Sequence, residues 1–113
     1  MSSQTQRQRL SPSDTRRLID DYTHYRFDKS LSPEEFGKKA GVSKQVVEDL
    51  CNQKQISHDD LHKLAEAINV SDQLLEAIAG YREIDQGTLK SLNGFFEALH
   101  KTKQHKPQQK KAA

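Results

Sequence analysis

The chain has 113 residues and a formal net charge of +2 at pH 7, and 33% of its residues are hydrophobic. This length suits one small domain and excludes two ordinary hydrophobic cores. Cys51 is the single cysteine, which excludes an internal disulfide framework and is typical of a reducing compartment. No apolar run approaches the roughly 18 residues that span a bilayer, and the N-terminus lacks the apolar segment of a secretory signal. We therefore expect a cytoplasmic protein that does not bind membranes.

Charge is segregated along the chain. Residues 1–9 carry Arg7 and Arg9 and no acid, a balance of +2. Residues 10–87 carry 10 Lys/Arg and 15 Asp/Glu, a balance of −5, and residues 88–113 carry six Lys and one Glu, a balance of +5. An acidic body between two basic ends differs from the uniformly basic surface that is typical of nucleic-acid-binding domains.

The chain begins with a polar, Gln/Arg-rich stretch, residues 1–10, which we predict to be a disordered arm. Ser11 and Pro12 predict the start of a first helix. Apolar and aromatic residues then recur three and four positions apart, as in the buried stripe of an amphipathic helix: Leu18, Ile19, Tyr22 and Tyr25. We expect both tyrosines to lie in the core rather than to stack on bases.

Residues 32–52 predict two short helices joined by a tight turn. Ser32 and Glu35 have the spacing of a capping box, and Gly41 ends the first of these helices because glycine adopts a left-handed conformation without steric cost. Ser43 caps the second helix, and small residues at 37 and 40 allow the two helices to cross closely. This is helix-turn-helix geometry.

Two further helices are predicted downstream. Ser57 and Ser71 are their caps, Asn69 is a tolerable left-handed end of the first, and Gly80 stops the second. Their apolar residues have helical spacing: Leu61, Leu64, Ala65 and Ile68 in one, Leu74, Leu75 and Ile78 in the other. No alternating strand pattern occurs, so residues 11–87 predict an all-α domain of five helices.

The C-terminal region predicts one additional helix and a tail. Residues 88–102 form an amphipathic helix whose apolar stripe is Leu89, Leu92, Phe96 and Leu99. Such a stripe needs a cover, which is either the domain itself or a second copy of the chain in a homodimer. Residues 103–113 are rich in Lys and Gln and predict a disordered basic tail. The tail either only solubilises the protein or adds sequence-independent phosphate contacts.

Residues 32–70 resemble the helix-turn-helix of the Cro and phage-repressor type, the lambda repressor-like or XRE-like family. The resemblance is carried by an ordered set of glycines, small residues, apolar residues and polar helix ends: Phe36, Gly37, Ala40, Gly41, Val42, Ser43, Val47, Leu50, Asn52, Leu61, Leu64, Ala65, Ile68 and Val70. It implies a five-helix lambda repressor-like domain, to which this chain adds the C-terminal helix and two disordered basic tails. Where the family has a glycine after the second helix of the motif, Asn52 or Gln53 must adopt the left-handed conformation.

In this family the second helix of the motif, here Lys44–Cys51, enters the major groove of double-stranded DNA. The DNA-binding residues that the resemblance implies are Ser43, Lys44, Gln45, Val46, Asp49, Asn52 and Lys54. Gln45 suits an adenine edge and Lys44 suits guanine acceptors. Val46 suits a thymine methyl group and Asp49 a cytosine amino group. Asn52 and Lys54 lie where the family contacts the DNA backbone. The first backbone N–H groups of the helix that follows Ser32 would hold a phosphate.

Two functions are consistent with these residues. The first is a sequence-specific, repressor-like transcriptional regulator that works as a dimer on two half-sites. The alternative is a protein-interaction adaptor or antitoxin-like module that binds a protein partner through residues 89–99. His58 and His62 lie four apart, but two histidines make an incomplete metal site. We expect neither a metal nor a cofactor, and with no nucleophile motif or phosphate-binding loop we do not expect an enzyme.

Overall fold

The computed structural model describes the backbone of residues 7–112 and the side chains of residues 7–101. Within that range it contains six helices and two short strands: β1 Arg7–Gln8, α1 Pro12–Phe27, α2 Pro33–Ala40, α3 Lys44–Cys51, α4 His58–Ala67, α5 Asp72–Ile78, β2 Ile84–Asp85 and α6 Gln86–Ala112. The two strands pair in a two-stranded sheet. The chain divides into two compact units, of which one is Gln8–Ile84 and the other is Met1–Arg7 with Asp85–Ala113. The predicted all-α fold with an extra C-terminal helix is confirmed.

Serine caps begin the first five helices. In each case the hydroxyl of the serine before the helix accepts the backbone N–H three residues on: Ser11, Ser32, Ser43, Ser57 and Ser71. At Ser32 the box is complete, because the Glu35 carboxylate also accepts the Ser32 N–H at 2.9 Å. A cap of this kind is typically worth about 1 kcal/mol, since it satisfies an N–H that has no partner inside the helix. These helix starts were all predicted from the sequence.

Left-handed residues end the short segments. Gly41 has φ 84° and Asn69 has φ 62°, both as predicted. Between α3 and α4 the left-handed residue is Gln53, at φ 63°, rather than Asn52. Asp28, at φ 63°, ends α1 in the same way. A non-glycine residue here is uncommon, so the surrounding contacts must hold it in place.

The core of the Gln8–Ile84 unit is formed by one face of each of its five helices. Its fully buried apolar side chains come from all of them: Leu18, Phe36, Val47, Leu50, Leu64, Leu75 and Ile78. One prediction was wrong: Tyr22 is buried, but Tyr25 is 53% exposed. The helical period places Tyr25 near the apolar stripe of α1. Tyr25 lies in the last turn of α1, however, and there this side of the helix is exposed to solvent.

The predicted disordered arm, residues 1–10, is wrong for its described part, residues 7–10. Residues 1–6 lie outside the described residues, whereas Leu10 is only 3% exposed and belongs to the core of the Gln8–Ile84 unit. The Leu10 carbonyl accepts the Gln53 amide at 2.5 Å, and Arg9 donates to the Gly80 carbonyl at 3.5 Å. A single apolar residue at the end of a polar stretch carries no periodic signal, which is why the sequence placed Leu10 in a disordered arm.

The second unit contains α6. This helix starts two residues before the predicted position, because the Asp85 carboxylate caps it by accepting the Thr88 N–H at 2.8 Å and the Thr88 hydroxyl at 2.9 Å. These hydrogen bonds hold the pKa of Asp85 below its ordinary value. The helical backbone continues to Ala112, past the predicted end at residue 102, so the predicted disordered tail over 103–113 is helical backbone except at the last residue, which lies outside the described ones. Among the described residues, no helix has the length and apolarity to cross a membrane.

Helices α4 and α5 are joined at the surface by an ionic cluster. The His62 Nδ1 atom lies 3.0 Å from an Asp72 carboxylate oxygen, and its Nε2 atom lies 3.4 Å from Glu66. His58 approaches the same Asp72 carboxylate at 3.7 Å. The hydrogen bond to Asp72, followed by the charges of Asp72 and Glu66, raises the pKa of His62.

A raised pKa makes the stabilisation by His62 depend on pH. It is fully present below the ordinary histidine pKa of 6.5 and is lost as pH rises through the higher folded-state value. We expect His62→Ala to lower the melting temperature more at about pH 5.5 than at about pH 8, because less of the imidazole is protonated at the higher pH. Lys63→Ala, which breaks a 3.5 Å pair with Asp59 on the same helix, is the control and should show no such difference. Equal effects of His62→Ala at both pH values would contradict this assignment.

Candidate nucleic-acid interface

The geometry of α2, its turn and α3 depends on Gly37. Its carbonyl accepts two N–H groups of the turn, from Gly41 at 2.7 Å and from Val42 at 2.9 Å. A Cβ at this position would lie 2.7 Å from the Val42 carbonyl oxygen and 3.3 Å from the backbone of Ser43. The backbone at the start of α3 can therefore approach α2 only because residue 37 has no side chain.

Helix α3 presents one polar face and one apolar face. Val47 and Leu50 are buried in the core, as predicted. Of the seven predicted DNA-binding residues, five are exposed, namely Ser43, Lys44, Gln45, Asn52 and Lys54, and two are half-buried, namely Val46 and Asp49. The fold thus places all seven in one segment, on α3 and at its two ends.

A comparison with protein families identifies this segment. Residues 26–75, which extend from the end of α1 into α5, match the Helix-turn-helix family model. This segment is similar to the Cro and phage-repressor type of helix-turn-helix family. A search of curated proteins and a search of solved structures each gave no significant match. This family consists of DNA-binding regulators that are generally not enzymes.

The polar side chains of α3, the second helix of the motif, are paired with one another. Lys44 Nζ lies 3.9 Å from a Glu48 carboxylate oxygen, and the Gln45 amide donates to Asp49 at 2.9 Å. Both pairs are four residues apart on the helix, where side chains are neighbours and interactions are worth about 0.2–0.5 kcal/mol. A base edge that takes the Gln45 donor must therefore displace Asp49, at a small free-energy cost.

The N-terminal end of α2, the first helix of the motif, has few hydrogen-bond donors for an anion. The N–H groups of Ser32 and Glu35 are taken by the capping box, and Pro33 has none. The Ser32 N–H, which donates to the Glu35 carboxylate, lowers the pKa of Glu35, so this carboxylate stays charged at the helix end. A phosphate at this end, which the sequence predicted, would meet that negative charge and only a few unpaired donors.

Arg16, an exposed residue of α1, is a candidate interface residue that the sequence analysis did not single out. Its guanidinium donates to the Asn52 side-chain oxygen, at the C-terminal end of α3, and it is exposed. Because the two residues are 36 positions apart, no local pattern could have indicated this contact. Arg16 therefore places a positive charge beside Asn52, one of the predicted backbone-contacting residues.

Other chemistry near α3 is limited. Cys51 is half-buried, and burial raises the pKa of its thiol, so little reactive thiolate is present at neutral pH. In the part of the chain that the structure describes, no three His, Cys, Asp or Glu side chains converge in a way that could hold a metal ion.

Proposed function

We propose that the protein is a sequence-specific, repressor-like transcriptional regulator that inserts α3 into the major groove of double-stranded DNA. The main support is the exposure of Ser43, Lys44 and Gln45 together at the N-terminal end of α3, while Val47 and Leu50 fix that helix to the core. In recognition helices of this type, the N-terminal residues contact base edges. Lys44 and Gln45 have the donors and acceptors for guanine and adenine, respectively. A regulator of this kind acts on DNA in the cytoplasm, the location predicted from the sequence.

Phosphate contacts come from the other end of α3 in this proposal. Arg16, Asn52 and Lys54 form an exposed polar group there, and Arg16 is already held against Asn52. Such contacts fix the register of the protein on the duplex without reading bases. They give the binding its dependence on salt, because each neutralised phosphate releases a counterion.

We also propose that the regulator is a homodimer that uses α6, so that two copies of α3 can read two half-sites. The four residues that the sequence predicts at the dimer contact are buried or half-buried in the single chain. Phe96 is 3% exposed in the single chain, and Leu89, Leu92 and Leu99 are half-buried, whereas Phe95 is 44% exposed. The apolar surface of α6 that a partner would cover therefore centres on Phe95.

Selection of bound duplexes from a random library at near-physiological salt tests this function. We expect enrichment of a palindromic motif, because a symmetric dimer reads the same half-site twice. A preference for one non-repeated site would support DNA reading but contradict the dimer. If a folded protein enriches no sequence, the DNA-reading function is refuted, and the alternative becomes an adaptor that binds a protein through α6.

A further inference from the structure

We propose that Gln53 is a positioning residue for DNA reading: its side-chain amide locks the turn that follows α3, and this lock sets the position of the recognition helix. This inference rests on the proposed function. Gln53 is half-buried, has the left-handed conformation at φ 63°, and directly follows Asn52 at the end of α3. A glutamine is not favoured in this conformation, so its side-chain contacts must hold it there.

Those contacts connect the turn to two other segments of the unit. The Gln53 amide nitrogen donates to the Leu10 carbonyl at 2.5 Å and to the Thr15 hydroxyl at 3.0 Å. The Thr15 hydroxyl in turn donates to the Ile78 carbonyl at 2.5 Å. One amide thus joins the turn after α3 to the segment before α1, to α1 itself and, through Thr15, to the last residue of α5.

The residues that Gln53 contacts are buried, although Gln53 itself is half-buried. Thr15 is fully buried and Leu10 is 3% exposed, so water has little access to the acceptor end of these bonds. A Cβ at Gly80 would overlap the Gln53 amide, and the positive φ of Gly80, 80°, independently favours glycine there. Buried hydrogen bonds of this kind specify one arrangement, because a buried polar group without a partner is destabilising.

A second contact holds the next residue of the same turn. The Tyr81 hydroxyl donates to the Lys54 carbonyl. Burial and the charge of Asp49 raise the pKa of Tyr81 to about 12, so the hydroxyl keeps its proton at physiological pH. Gln53 and Lys54 are therefore both attached to segments of the unit other than α3, and the proposed phosphate-contacting residues Asn52 and Lys54 lie on either side of Gln53.

The test uses two variants that break the lock from opposite sides. Gln53→Asn keeps a residue that tolerates the left-handed conformation, but its amide is one methylene too short to reach Leu10 and Thr15. Thr15→Val keeps the shape of the side chain and removes the hydroxyl. The matched control is Thr23→Val, since Thr23 is also a buried threonine of α1, at 2% exposed, but its hydroxyl donates only to Asp20, at 2.9 Å.

Two readouts are needed, each at a temperature where every variant is fully folded. The first is hydrogen exchange of the Asn52 and Lys54 amides, which donate to Glu48 at 2.9 Å and to Asp49 at 2.8 Å. We expect both lock variants to exchange about tenfold faster there, a change equivalent to about 1.4 kcal/mol. Thr23→Val should leave these amides unchanged, and the Val70 amide, which donates to Ala65 at 3.0 Å, should change in none of the variants.

The second readout is the ratio of affinities for the selected duplex and for a duplex with one changed base pair. We expect this ratio to fall about tenfold in both lock variants and not in Thr23→Val, since misplacing the helix weakens the contacts that discriminate bases. Unchanged exchange overturns the inference, and so does faster exchange with an unchanged ratio. If the wild type discriminates no duplexes, the proposed function fails, and the exchange data alone decide whether Gln53 fixes the turn.

Discussion

Gly37→Ala should lower the free energy of unfolding by about 1–3 kcal/mol, the usual range for overpacking a well-packed site. In an open helix the same change would instead stabilise by up to about 1 kcal/mol, because alanine has the higher helix propensity. Here the new methyl group would lie 2.7 Å from the Val42 carbonyl oxygen. Since that atom belongs to the backbone of the turn, it can move only if α3 moves relative to α2.

The chain contains its own control for this prediction. Gly94 is an exposed glycine inside α6, and a Cβ added there would have no neighbour within 4 Å. Gly94→Ala should therefore leave the free energy of unfolding equal or higher, measured by denaturant titration of both variants. If Gly37→Ala were as stable as the wild type, the close approach of α2 to the turn would not be a requirement of the fold.

The double variant Lys44→Ala, Gln45→Ala should lose about 2–4 kcal/mol of binding free energy for the selected duplex, roughly thirtyfold to a thousandfold in affinity. Each side chain can make a bidentate or charge-assisted contact to a base edge, and both are exposed and absent from the core. The variant should therefore keep its melting temperature while its preference among base pairs disappears. Binding titrations of matched and mismatched duplexes measure both quantities.

A second double variant separates loss of base reading from loss of charge. Lys63→Ala, Gln73→Ala removes the same two residue types from exposed positions on α4 and α5. It should retain the base preference of the wild type, with only a small change in the dependence of affinity on salt. If both double variants discriminate base pairs equally well, α3 is not the recognition helix.

The sequence predicted those features of the fold that depend on neighbouring residues. A serine hydroxyl caps the N–H three positions on, so five helix starts could be located from spacing alone. The burial of Val47 and Leu50 also follows from the helical period. Leu10 and Tyr25 were assigned to the wrong environments, because the position of a helix or segment against the rest of the chain is not a periodic property.

The candidate DNA-binding site likewise combines features that local sequence predicts with features that depend on packing. The exposure of Lys44 and Gln45 could be predicted, since it follows from the inward positions of their neighbours on α3. The contact of Arg16 with Asn52 and the contacts of Gln53 with Leu10 and Thr15 could not. These pairs are 36 or more positions apart, so they depend on how the helices pack rather than on any local pattern.

The two side-chain pairs on α3 have a consequence for how a regulator of this kind would search a genome. With Lys44 beside Glu48 and Gln45 bound to Asp49, the helix offers arbitrary DNA little unpaired positive charge. A duplex of the wrong sequence would have to break both pairs without forming base contacts in return. Each pair is worth only about 0.2–0.5 kcal/mol, so this rejection of wrong sites adds a small increment to the selectivity that the base contacts supply.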